Sequence, residues 1–66
     1  MLYKYEIDAR LRTIEAEIPQ LRRDMNTFFR VFEDHAHRLC CEVEPSDQDY
    51  VLDELNAMVE RAGINA

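Results

Sequence analysis

The chain has one glycine, two prolines and no tryptophan among its 66 residues. Strands and hairpins need turn residues at short intervals, and so little Gly and Pro leaves few places to make them. A single glycine also leaves no Gly-rich loop to cradle a phosphate. Two cysteines stand side by side, Cys40 and Cys41. Neighbouring helical residues point in different directions, so they form no routine bridge and read as the reduced thiols of a cytoplasmic protein. No stretch approaches the ~20 apolar residues of a membrane span. The opening Met1-Leu2-Tyr3-Lys4-Tyr5-Glu6 carries no apolar run of the signal-peptide kind.

Bases are scarce after Asp24. Five bases meet five acids from Lys4 to Asp24, whereas three bases face nine acids in the remainder, so the net charge of −6 arises there. Such a surface repels nucleic acid phosphates and anionic lipid, and attracts a basic protein surface.

What is present favours helix. Apolar residues make up 47% of the chain, too many for disorder, and Glu, Arg, Leu and Ala are strong helix formers. Residues 1–66 form a single domain, small enough that oligomerisation is a natural source of stability. Ile7, Leu11, Ile14, Ile18, Leu21, Met25, Phe28, Phe32, His35 and Leu39 follow at alternating steps of four and three. That is a heptad stripe, with Leu11, Ile18, Met25, Phe32 and Leu39 at a and the others at d. Pro19 interrupts it by removing one backbone hydrogen bond. No turn residue stands beside Pro19 and the heptad phase passes through it, which predicts a kink rather than a break.

The chain therefore predicts an all-α fold, with a long kinked helix over about 2–42, a turn over 43–46 and a second helix over about 47–62. Ser46 is the expected N-cap of the second helix, with Asp47 and Asp49 in its first turn. Gly63 and Ile64 suit a Schellman ending against Val59. Tyr50 is expected to pack locally on Pro45 or Val43. Folded back as a two-helix hairpin, a helix of ~24 Å covers only part of one of ~60 Å. The narrow seam of Ile7, Leu11, Ile14, Ile18, Leu21 and Met25 then calls for a second copy, giving a homodimeric four-helix bundle with a coiled-coil extension. Arg10–Glu15 and Glu17–Arg22 pairs between copies suit a parallel arrangement. The alternative is a monomeric three-helix bundle broken at Pro19, in which the same stripe is an internal core.

Candidate chemistry is sparse. Glu33, His37 and Cys41 fall at i, i+4 and i+8 on one helix face, and all three side chains can bind zinc. Structural zinc sites draw ligands from two segments, however, and no Cys-x-x-Cys is present, so no metal or other cofactor is expected. His37 and Cys41 lie one turn apart, yet no orienting group or oxyanion hole accompanies them, so no enzyme is expected. The acids Glu42, Glu44, Asp47, Asp49, Asp53 and Glu54 form a candidate docking surface, and Tyr3 and Tyr5 are candidate aromatic anchors. These features predict an adaptor, inhibitor or regulator that binds protein, with no direct contact to nucleic acid or membrane. The alternatives are a metal- or redox-responsive regulator using His37, Cys40 and Cys41, and an acidic mimic of nucleic acid. Replacing Cys40 with Ala should cost stability, as Cys40 reads as a small core residue, while Cys41→Ser should not. Thermal melts check this, and stoichiometric zinc in the untagged protein, lost in Cys41→Ser, contradicts it.

Overall fold

The structure is a computed structural model that describes residues 1–64. Helix α1 spans Lys4–Leu21. Glu6 Oε1 accepts the Tyr3 N–H at 2.8 Å and so satisfies a donor at its start. Ile7, Leu11, Ile14 and Ile18 make one buried stripe along it. Pro19 sits in the last turn on the exposed side, where the missing bond to the Glu15 carbonyl falls close to the helix end.

The long kinked helix is not observed, because α1 stops at Leu21 and a new helix begins at Met25. Nor does the break fall at Pro19. After the Arg22 N–H bonds Ile18 O at 2.9 Å, the chain tightens into three-residue steps, Arg23 N–H to Gln20 O and Asp24 N–H to Leu21 O. Asp24 then caps helix α2, Met25–Cys41. Its Oδ1 accepts from the Asn26 and Thr27 N–H groups at 3.1 and 3.4 Å, and its Oδ2 accepts from the Thr27 hydroxyl at 3.0 Å. These bonds hold the Asp24 carboxyl below its ordinary pKa, the Thr27 hydroxyl acting most strongly. The turn former absent beside Pro19 is thus this aspartate, five residues further on.

Helix α3 spans Pro45–Arg61, with Glu44 rather than Ser46 at the N-cap. Proline at the first helical position lacks only an N–H that would have no partner there, and its φ is already set for a helix. Pro45 therefore starts the helix before Ser46 can cap it. The C-terminus is the expected Schellman ending. Ile64 N–H bonds Val59 O at 3.2 Å, Gly63 N–H bonds Glu60 O at 3.0 Å, and Gly63 has φ of +74°. Ile64 is buried there.

Among the described residues the structure is all-helical, and each of the three helices packs on the other two. The longest dimension is 32 Å, about half of what a continuous helix over 2–42 requires. One core gathers Ile7, Leu11, Ile14 and Ile18 of α1, Phe28 and Leu39 of α2, and Val51, Leu55 and Met58 of α3. The α1 seam is covered within its own chain, so the premise that it lies bare on a hairpin does not apply. Leu21 is half-buried and Met25, beyond the break, is exposed. The charges once paired between copies also have partners within the chain. Arg10 meets Glu42 at 2.7 Å, Glu17 meets His35 at 3.4 Å and Glu15 meets Arg61 at 3.0 Å.

Replacing Leu11 and Ile18 with Asp places two carboxylates in this core, at a cost of several kcal/mol. A domain of this size has only about 3–10 kcal/mol of stability. The whole chain should therefore unfold cooperatively, with amide protection lost from α2 and α3 as well as α1. Protected helix surviving around Phe28 and Leu55 in hydrogen exchange would contradict a shared core.

Candidate functional site

Three helices in mutual contact create three seams, and the side chains over each differ. Over the α1–α2 seam lie the Arg10–Glu42 and Glu17–His35 pairs. Arg10 contacts both Glu42 oxygens, at 3.2 and 2.7 Å, and this bidentate bond lowers the pKa of Glu42. The Leu2 N–H also reaches Glu42 O at 3.0 Å, which ties the chain start to the end of α2.

The α1–α3 seam is more densely bridged. Tyr50 OH donates to Asp8 Oδ1 at 2.5 Å, Lys4 Nζ lies 4.4 Å above the Tyr50 ring, and Arg61 donates to Glu15 through Nε and Nη2. Arg22 Nη1 donates to Ala62 O at 2.7 Å. Tyr50 therefore finds its polar partners on α1. The hydrogen bond to Asp8, then burial, then the charges of Asp8 and Glu54 push its pKa up to about 12.

The α2–α3 seam has almost no such bridge. Among the described residues its one side-chain hydrogen bond joins Gln48 Nε2 to Cys40 O at 3.1 Å, next to the turn between the helices, and no ion pair spans it. Apolar side chains stand over it instead. Phe29 is 41% exposed, Leu52 46% and Met25 38%. Helical spacing places Met25, Phe29, Ala36 and Cys40 across the buried Phe28–Leu39 line from His35, hence towards α3. The same spacing places Leu52 and Val59 on the side of α3 opposite Tyr50 and Arg61, hence towards α2. Phe28 supports this strip from below, edge-on to Phe29 at 5.4 Å and stacked on Phe32 at 5.2 Å.

The acidic run does not gather on one face. Glu42 pairs with α1, Glu44 occupies the N-cap position of α3, and Glu54 lines the α1 side of α3 with Asp8 and Arg12. Asp47 is half-buried, and of this run only Asp49 and Asp53 remain as outward acids on α3. Tyr3 and Tyr5 are each 71% exposed and stack at 6.1 Å, at the start of α1 and away from the α2–α3 strip.

His37 Nε2 lies 3.8 Å from Cys41 Sγ on the exposed side of α2. Glu33 does not join them, and among the described residues no three His, Cys, Asp or Glu side chains converge on a point that could hold a metal. Cys40 is partly buried, which raises its thiol pKa. A cleft of about 340 Å³ opens between α1 and α3 over Ile18, Pro19 and Met58. Its two guanidinium groups, Arg22 and Arg61, already bind Ala62 O and Glu15, which leaves no cation aimed at a ligand.

Sequence reasoning missed the α2–α3 strip. Its signal was the width of the apolar face after Thr27, where Phe29, Ala36 and Cys40 run beside Phe28, Phe32 and Leu39. Such width suits a helix with two neighbours, while the structure leaves its outer edge uncovered. Among the described residues no helix is long and apolar enough to cross a membrane. In comparisons with known proteins, no family model, no curated protein and no solved structure matches the chain.

The Tyr50–Asp8 bond makes a pH prediction. A folded pKa of about 12, above the ordinary value of 10, gives a contribution present in full below pH ~10 and lost as pH rises towards ~12. Tyr50→Phe should cost about 1–2 kcal/mol at neutral pH, because Asp8 loses its donor. It should also flatten the alkaline fall in melting temperature. An unchanged alkaline limb in the variant would contradict this.

Proposed function

We propose that the chain is a protein-binding adaptor or regulator, that it acts without catalysing a reaction, and that the α2–α3 strip is its contact face. The observation that carries this reading is the contrast between the seams. Two are closed by polar bridges, and the third presents Met25, Phe29 and Leu52 to water. Each of these residues loses stabilisation by staying wet, since burying a large apolar side chain is worth about 1.5–3 kcal/mol. Aromatic residues in a patch with a packed floor are also the residue type that dominates binding energy at interfaces. Tyr3 and Tyr5 form a smaller second patch on one helix end.

The test uses the fold as its control. Phe29→Ser and Leu52→Ser, each at a position about half exposed, should each cost about 1–2 kcal/mol and leave the chain folded. Together they should remove the proteins that the wild-type chain captures from an extract of its source cells while circular dichroism still shows a folded chain, whereas Tyr3→Ser with Tyr5→Ser should retain them. Identical captured sets from wild type and the folded Phe29/Leu52 variant would overturn the assignment of the face.

A further inference from the structure

We infer that the occupant of the α2–α3 face is an amphipathic helix of another protein, basic along the flank that meets α3, which docks as a fourth helix. This rests on the strip being the contact face and adds the form and charge of what covers it. The form follows from backbone chemistry. Among the described residues there is no strand, so no sheet edge is offered to an extended peptide. An extended peptide pressed against two helices would bury N–H and C=O groups without partners, while a helix satisfies its own. α2 and α3 have 17 residues each and are joined by a short turn, so the furrow between them is about 25 Å long. Phe29 and Leu52 form its ridges, and Ala36 leaves a low point between larger neighbours where a guest side chain can seat.

The charge follows from the rim. Outward of the strip, α3 carries Asp49, Asp53 and Glu60 with no base between them, and α2 carries Arg30 and Glu33. Asn26 and Asn56, also outward, carry no charge. A guest with Lys or Arg beside its apolar stripe meets complementary charge along the α3 flank. A second copy of this chain would instead bring one acidic α3 rim and a net charge of −6 against another of the same sign.

Two synthetic peptides of about 18 residues, long enough to fill the furrow, test the inference. Both carry Leu at helical spacing, and one has Lys and the other Glu at the remaining positions. In an amide-resolved NMR titration of the whole chain, the Lys peptide should shift resonances of Met25, Phe29, Ala36, Leu52 and Val59 and gain helix by circular dichroism. Its affinity should fall about tenfold or more in Leu52→Ser, the more exposed of the two ridge positions. Should Phe29→Ser lose helix content, Leu52→Ser still decides the point. Neutralising the rim by Asp49→Asn, Asp53→Asn and Glu60→Gln should weaken binding several-fold and reduce its salt dependence, while Asp34→Asn, on the far side of α2, should change neither.

Equal binding of the Glu peptide would overturn the charge and leave the contact face standing. Shifts confined to other surfaces, with capture from extract still lost in the Phe29/Leu52 variant, would overturn the helical occupant alone. A mass that doubles with concentration in light scattering, and returns to one chain in Leu52→Ser, would replace the guest with a second copy. If capture from extract also survives the Phe29/Leu52 variant, the contact face itself fails with the inference.

Discussion

The reversal between Leu21 and Met25 is the constraint on which the rest of the structure depends. Until the chain turns there, the stripe of Ile7, Leu11, Ile14 and Ile18 has no cover. Once it turns, α2 and α3 both lie against α1 and the stripe becomes the centre of a core. The turn is made by a helix end and a helix start meeting across three residues. Pro19 weakens the last turn of α1 without ending it, and the carboxylate of Asp24 collects the first donors of α2. A helix carries four unsatisfied donors at its start, and without a cap the cost of breaking it favours running on.

With the reversal in place, the polar residues sort themselves by seam. The charges of α1 alternate around its buried stripe, so Arg10 and Glu17 fall on the α2 side and Asp8 and Glu15 on the α3 side. Helix α1 is the common partner of nearly every long-range polar contact. Such exposed pairs add little strength and mainly fix register. The Tyr50–Asp8 bond is partly buried, and Lys4 lies over the Tyr50 ring. Because α1 takes these contacts, α2 and α3 have few to make with each other. Their shared outer edge is apolar for the same reason that the other two edges are polar.

This arrangement gives the domain a division of labour. The α1 seams orient the helices, and the core beneath them supplies most of the stability expected from burial. The α2–α3 edge is left free of that task, since no ion pair spans it among the described residues. The His37–Cys41 contact and the stacked Tyr3–Tyr5 pair lie outside this edge and outside the core.

The sequence by itself determined the helical class, the apolar stripe, the second helix and its Schellman ending at Gly63 and Ile64. Each of these is a local matter, set by residues three or four positions apart or by the freedom of one glycine to take positive φ. It also contained the cap at Asp24, but a heptad phase that continues through residues 19–25 is equally compatible with one helix or two. Local periodicity carries no information about which helix faces which. The tertiary structure decided that the seam of α1 is internal, that the acids from Glu42 to Glu54 scatter to different faces, and that Phe29 and Leu52 share an open edge. Those outcomes rest on rotations of whole helices about their axes. The contacts that set the rotations join residues about forty positions apart, such as Tyr50 with Asp8 and Arg22 with the carbonyl of Ala62.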